Sequence, residues 1–208
     1  MIIAKVGARM SEHYFSHNPQ AKSAPKTWRS QLRGHLFSFT SDYGVFSKQD
    51  IDFGTRLLIE SFKEPEISGK ILDLGCGYGP IGIAIAYQYQ DRHVLMADIN
   101  ERAVLLAKKN VKANDIKNAT VIESDRFSQL DTQFAAIITN PPIRAGKKVV
   151  YKMFEESHSY LLNRGELWVV VQKKQGAPST KKKLQELFGI VQVVRREKRY
   201  YIFRAIKT

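Results

Sequence analysis

Residues 70–84, "KILDLGCGYGPIGIA", decide the reading of the fold. An apolar run of strand length closes at Leu74, glycines follow at 75, 77 and 79, and Pro80 is placed to open a helix. The alternating glycines let the backbone turn sharply and come close to a ligand. Strand, glycine loop and helix in that order form the opening unit of an α/β sheet.

Working outward, the same rhythm repeats. HVLMAD reads as a strand, and a helix from about Glu101 puts Ala103, Leu106, Ala107 and Val111 on one face. ATVIES and FAAIIT read as strands. A helix from about Lys147 carries Val150, Phe154, Ser157 and Leu161 on one stripe, ELWVVVQ is a buried strand, and residues 179–188 form a helix. IVQVVRR and RYYIFRAI lie nearly back to back, which predicts a hairpin and one reversed strand at the end of an otherwise parallel sheet. Upstream, Asp52 is placed to cap a helix running to about residue 62. WRSQLRGHLFSFTSD, residues 28–42, suits two short strands turning at Gly34, and the polar HNPQAKSAP before it reads as loop. The expected organisation is a β-hairpin extension over residues 1–50 and an α/β domain over residues 51–208.

Bulk properties narrow the class. The 208 residues are 43% hydrophobic and 25% charged, as in a globular protein able to bury a core. A lone cysteine, Cys76, excludes an internal disulfide and a multi-cysteine zinc site, and suits a reducing compartment. No apolar run is long enough to span a bilayer and the start does not resemble a signal peptide, so the expectation is a cytoplasmic protein with neither membrane nor metal partner. The net charge is +13, and residues 144–208 hold 16 of the 33 Lys/Arg but only 5 of the 20 Asp/Glu. Such asymmetry reads either as a footprint for nucleic-acid phosphates or as a solubilising face.

The chemistry gathers at strand ends. A nicotinamide dinucleotide loop would need G-x-G-x-x-G, but its third glycine position here is Pro80. Asp73 precedes the loop, and an acid there suits a cationic ligand group such as an amine or sulfonium better than a pyrophosphate, which favours S-adenosylmethionine over NAD. Asp98 ends the next strand, where an acid can accept both ribose hydroxyls. It is equally placed to cap the following helix, a task open to Asn100. After the third strand come Ser124, Asp125 and Arg126, and Asp125 can accept from an adenine amino group or simply face solvent. Three acids at three consecutive strand ends predict a crevice at the carboxyl edge of the sheet.

Asn140-Pro141-Pro142 follow the fourth of these strands. Neither proline has an N–H, so the loop offers carbonyl oxygens and few donors, held extended and stiff. With the Asn140 side chain this makes a rigid set of acceptors suited to an amino group with two N–H bonds. Gripping both N–H groups with Asn140 Oδ1 and the Pro141 carbonyl would make the nitrogen more tetrahedral and aim its lone pair at a methyl donor, with no metal required.

Together, LDLGCGYGP, Asp98, Asp125 and NPP resemble the class I S-adenosylmethionine-dependent methyltransferases. GVFSKQDIDFGTRLLIE (44–60) and NPPIRAGKK (140–148) further resemble the small-subunit ribosomal RNA guanine-N2-methyltransferases, in a short single-domain bacterial form. The resemblance implies a Rossmann-like seven-stranded sheet with a reversed last hairpin and S-adenosylmethionine on Asp73, Gly75, Cys76, Gly77, Asp98, Ile99, Asp125 and Arg126. It implies a target amine on Asn140 and Pro141, with Pro142 completing the loop. Val45, Phe46, Ser47 and residues 52–55 are implied to close the pocket. Relatives often carry an aromatic ring after NPP to stack on a flipped-out base; Ile143 stands there instead, leaving the stacking to another aromatic such as Phe46. The larger ribosomal enzymes carry a second amino-terminal domain, so contact with ribosomal RNA or a ribosomal subunit would fall to local cations. The candidates are Arg144, Lys147, Lys148, Lys173, Lys174 and Lys181 to Lys183. Methylation of another amine, such as adenine N6 or a protein glutamine, stays open, as does a noncatalytic RNA-binding module and the oligomeric state.

Overall fold

The computed structural model describes residues 23–45, 47 and 50–208. Most of the loop read over residues 17–25, and Phe46, lie outside the described residues. Strands β1 (Lys26–Leu32) and β2 (His35–Ser41) pair antiparallel about Arg33-Gly34, both at positive φ, which is the favoured two-residue hairpin turn. Helix α1 (Phe53–Ser61) follows, capped by Asp52, whose carboxylate accepts from the Thr55 N–H at 3.1 Å.

The main unit then runs β3 (Ile71–Leu74), α2 (Pro80–Gln88), β4 (Val94–Asp98), α3 (Glu101–Ala113), β5 (Ala119–Glu123), β6 (Phe134–Thr139), α4 (Lys147–Tyr160), β7 (Leu161–Gln172), α5 (Ala177–Phe188), β8 (Ile190–Glu197) and β9 (Tyr200–Ile206). Seven strands form one sheet in the order β5-β4-β3-β6-β7-β9-β8. All ladders are parallel except those of β9, which runs against both β7 and β8. The reversed strand anticipated from the back-to-back apolar runs is therefore β9.

Alternation along β7 fills two cores. Trp168 and Val170 face a cluster with α1, α2 and α3, while Leu167, Val169 and Val171 face one with α4 and α5. Leu161, expected on the α4 stripe, belongs instead to β7. Helix α4 stops at Tyr160, and Leu161 turns extended (φ −87°, ψ 142°) to pair with Phe134, fully buried. Met153 takes the place on the buried helical stripe.

The hairpin has no core of its own. Leu32, Phe37 and Phe39 are buried in the cluster that holds Leu57, Ile81 and Ala103. Two amides on α3 also pair with the backbone of β2 in the manner of a neighbouring strand. Asn110 Oδ1 accepts from Thr40 N–H at 2.8 Å and its Nδ2 donates to Thr40 O at 2.9 Å. Asn114 does the same for Ser38, both bonds at 2.8 Å. Asn110 Nδ2 also reaches Tyr78 O at 2.8 Å, so a single side chain ties the hairpin to the glycine loop.

Candidate active site

The strand order reverses between β3 and β6: β4 and β5 lie to one side of β3, and β6 and β7 to the other. Loops at the carboxyl ends of the strands part at such a point and leave a crevice. A cavity of about 460 Å3 opens there. Thr139 pins the two sides together, its hydroxyl donating to Leu74 O at 2.8 Å.

The glycine loop forms one wall. The N–H groups of Gly75 and Cys76 both donate to Ala97 O, at 2.8 and 3.0 Å, which folds the loop over the end of β4. Gly75 and Gly77 have φ of 74° and 57°, and a Cβ at either would meet nothing within 4 Å. Their conformation excludes most side chains, and the space beside them is open to a ligand. Asp98 lines the cavity and accepts from Gly77 N–H at 2.8 Å and Asn100 N–H at 2.9 Å. Burial pushes its carboxyl above the usual range against the pull of these bonds. Each oxygen keeps lone-pair capacity for a further donor. The cap of α3 is Asn100, which accepts from Ala103 N–H at 3.2 Å, so Asp98 is not needed for it.

Asp73 sits elsewhere than a direct ligand contact requires. It is 1% exposed and absent from the cavity wall, beneath the glycine loop. Its Oδ2 accepts from Gly82 N–H at 2.8 Å, and its Oδ1 has no partner among the described residues. A Cβ on Gly82 would stand 3.0 Å from Oδ2 and 2.5 Å from Met96 Cγ, so only glycine lets α2 come this close. Desolvation, with Asp98 adding to it, raises the Asp73 carboxyl from 3.8 to about 7. The Cys76 thiol lines the cavity but is pushed well up by burial and by the charges of Asp98 and Asp73, which leaves it a poor nucleophile.

Asp125 and Arg126 line the cavity as an ion pair, Oδ1 to guanidinium at 2.7 Å, and Arg126 Nε also donates to Glu156 at 2.8 Å. Asp125 is exposed, so of the three strand-end acids it is the most open to solvent.

The second wall is Asn140-Pro141-Pro142. Asn140 Nδ2 donates to Thr55 Oγ1 at 2.8 Å, which fixes the amide plane and leaves Oδ1 uncommitted. Thr55 is itself placed by the Asp52 cap of α1. Ile143 N–H donates to Pro141 O at 2.8 Å around Pro142 (φ −74°, ψ 78°), an inverse γ-turn. The Pro141 carbonyl is thus half used, with one lone pair left.

Of the remaining residues expected here, Ile99, Pro142, Ile143, Arg144, Val45, Ser47, Asp52 and Thr55 line the cavity, while Lys147 and Lys148 stand exposed outside it at the start of α4. Lys183 pairs with Glu155 at 2.6 Å, which spends part of the triple lysine on the surface of the fold. Sequence reasoning missed Tyr78, Gln175 and Tyr200 as wall residues. Tyr200 was legible in principle, since the first residue of a reversed strand lands on the carboxyl edge.

The sequence model of the family described as "Methyltransferase small domain" matches residues 37–204. An uncharacterized protein of Bacillus subtilis (strain 168), YbxB, is 56% identical over 95% of this chain and all of its own length. The ribosomal RNA small subunit methyltransferase C of Actinobacillus pleuropneumoniae serotype 7 is 32% identical over 86% of the chain. The match spans only 55% of that relative, about half its length. Among solved structures, the T. thermophilus 16S rRNA N2 methyltransferase RsmC, in complex with AdoMet and guanosine, superposes with a TM-score of 0.79 at 26% identity. It covers 90% of this chain and 52% of its own.

Proposed function

Since this chain belongs to the methyltransferase small domain family and is an S-adenosylmethionine-dependent methyltransferase, we propose that it methylates the exocyclic N2 of a guanine in small-subunit ribosomal RNA. Bound S-adenosylmethionine supplies an electrophilic methyl on a sulfonium. The rest of the chemistry falls to residues of the chain.

The walls suit that cofactor. Open positive-φ glycines admit it against the loop backbone, and Asp98 has acceptor capacity for ribose hydroxyls. Asp73, with an orphaned oxygen, would act on its cationic end through the loop rather than by contact. Asp125 is the acceptor for the adenine amine, with Arg126 holding it in place.

The observation that carries the transfer reading is the Thr55–Asn140 hydrogen bond. An amide whose NH2 is already engaged presents its oxygen, and an oxygen accepts from an amine. With the free lone pair of Pro141 O it holds both N–H bonds of the target and directs the nitrogen lone pair along the transfer line. The aminopyrimidine edge of guanine supplies such an amine, and the basic last third supports a nucleic-acid substrate over a protein amide. The T. thermophilus relative is named for this base and atom.

Asn140→Ala tests the site. S-adenosylmethionine affinity measured by calorimetry stays near wild type, while kcat falls about 10²–10³-fold, the usual cost of one lost polar contact to the reacting group. Equal loss of affinity and turnover would make Asn140 a structural residue. Mass spectrometry of nucleosides from ribosomal RNA with and without the gene tests the substrate: N2-methylguanosine falls in the deletion, whereas loss of N6-methyladenosine instead would reassign the base.

A further inference from the structure

The turn between β8 and β9 is only two residues long, Lys198 and Arg199, with Glu197 paired to Tyr200 across it. Both central residues have positive φ, 44° and 68°. This is the hairpin geometry for which Asn-Gly is the preferred sequence, because a Cβ in that region crowds the following carbonyl. Two long basic side chains are the wrong residues for the backbone they occupy.

The β1–β2 turn is an internal comparison. Arg33 there also has positive φ, but a glycine follows it, and it is held by four hydrogen bonds. Its N–H meets Glu60 at 2.6 Å, and its guanidinium meets Ile59 O at 2.8 Å, Phe62 O at 2.9 Å and the Tyr89 hydroxyl at 3.1 Å. Those bonds offset the strain. At the β8–β9 turn neither side chain has a hydrogen bond or ionic partner among the described residues. Lys198 Nζ stands 4.7 Å from the centre of the Phe53 ring, and Arg199 contributes its carbonyl, which accepts from Lys173 N–H at 2.7 Å. Both side chains are exposed.

The turn lies at the mouth of the active-site cavity. Tyr200, the next residue, lines the cavity, and its ring packs 5.5 Å from that of Phe53. The Lys173 bond joins the turn to the segment that brings Gln175 into the same wall. Strain met by one cation–π contact and one backbone bond, with none of the side-chain hydrogen bonds that hold Arg33, and lying beside a binding site, points to a task for the strained residues.

We propose that the Lys198–Arg199 turn is a phosphate-gripping site that takes RNA backbone phosphates flanking the base held in the cavity. This rests on the ribosomal RNA reading above. Lysine supplies a point charge and arginine a planar fork for phosphate oxygens, and neither is available from the sequence the turn itself prefers.

The double variant Lys198→Asn/Arg199→Gly installs the preferred turn, so it relieves strain while removing the cations. Its Tm is expected to rise by about 2–4 °C or more, and its S-adenosylmethionine affinity to match wild type. On small-subunit ribosomal RNA transcribed in vitro, the slope of log Kd against log salt is expected to flatten by about 1.4, at roughly 0.7 for each phosphate on a single strand. A matched pair on α3, Lys108→Gln/Lys109→Gln, removes the same charge from an exposed helix and leaves the slope unchanged. A turn variant with wild-type RNA affinity and slope would overturn the proposal, as would equal losses in the α3 pair, which would reduce the effect to net charge. Wild-type protein that binds this RNA without salt dependence and transfers no methyl to it, naked or in the assembled subunit, would overturn the RNA reading itself.

Discussion

A carboxyl sealed from water and given one N–H bond sits between its two protonation states near neutral pH, and Asp73 is in that position. Its folded value, about 7, lies above the ordinary 3.8, so the folded state holds the extra proton between them. Stability therefore falls as pH rises through that window and levels off above it. Asp73→Asn keeps an oxygen for Gly82 N–H and carries no charge to desolvate. Its Tm should exceed wild type by several degrees at pH 8, with the gain vanishing toward pH 4, as followed by thermal melts. Loss of the negative field under the glycine loop should weaken S-adenosylmethionine binding in the same variant, read by calorimetry at pH 8. The acid was legible in LDLG, but its depth was not: it depends on Gly82 and Met96 closing over it from two other elements. Thr55 and Asn140 illustrate the same limit, since 85 positions separate two side chains that share one hydrogen bond. No local pattern links them.

At the scale of elements, the strand–helix alternation and the glycine loop carried the class of the sheet and its reversed strand but not the strand order, because buried parallel strands are apolar runs whatever their neighbours. Boundaries moved where pairing overruled polarity, as in β7, which begins at Leu161 and runs through Asn163 and Arg164. The hairpin's attachment was harder to read. Asn110 falls on the apolar stripe of α3 with Leu106 and Ala107 and is fully buried; a lone amide on such a stripe is the signal of a partner elsewhere. Asn110→Ala would strand Thr40 N–H, Thr40 O and Tyr78 O without a bond. A loss of about 2–4 kcal/mol in urea unfolding is expected, together with weaker S-adenosylmethionine binding through the glycine loop. Asn114→Ala, partly exposed and bonded only to Ser38 and its own helix, should cost less and spare the cofactor.

Over the whole molecule, seven of the sixteen cations of the last third stand at the carboxyl edge. Arg144, Lys147 and Lys148 follow β6, Lys173 and Lys174 follow β7, and Lys198 and Arg199 follow β8. Composition gave their number but not this ring, which exists only because three strands of one sheet point the same way. Among the described residues no helix is long and apolar enough to cross a membrane, and no cluster of side chains is suited to a metal ion. Strand β9 holds the ring together, with Ile202, Phe203 and Ala205 buried between two neighbours. A chain stopped after Arg199 should show no cooperative urea transition and no S-adenosylmethionine binding. The placement of β9 also sets a clock. Every other strand of its sheet precedes it in the chain, yet it lies inside the sheet, so ribosomal synthesis delivers the frame first and an interior strand last. Until that strand slides in, β8 has no partner and the cavity lacks Tyr200, and a nascent chain has no finished place for its substrate.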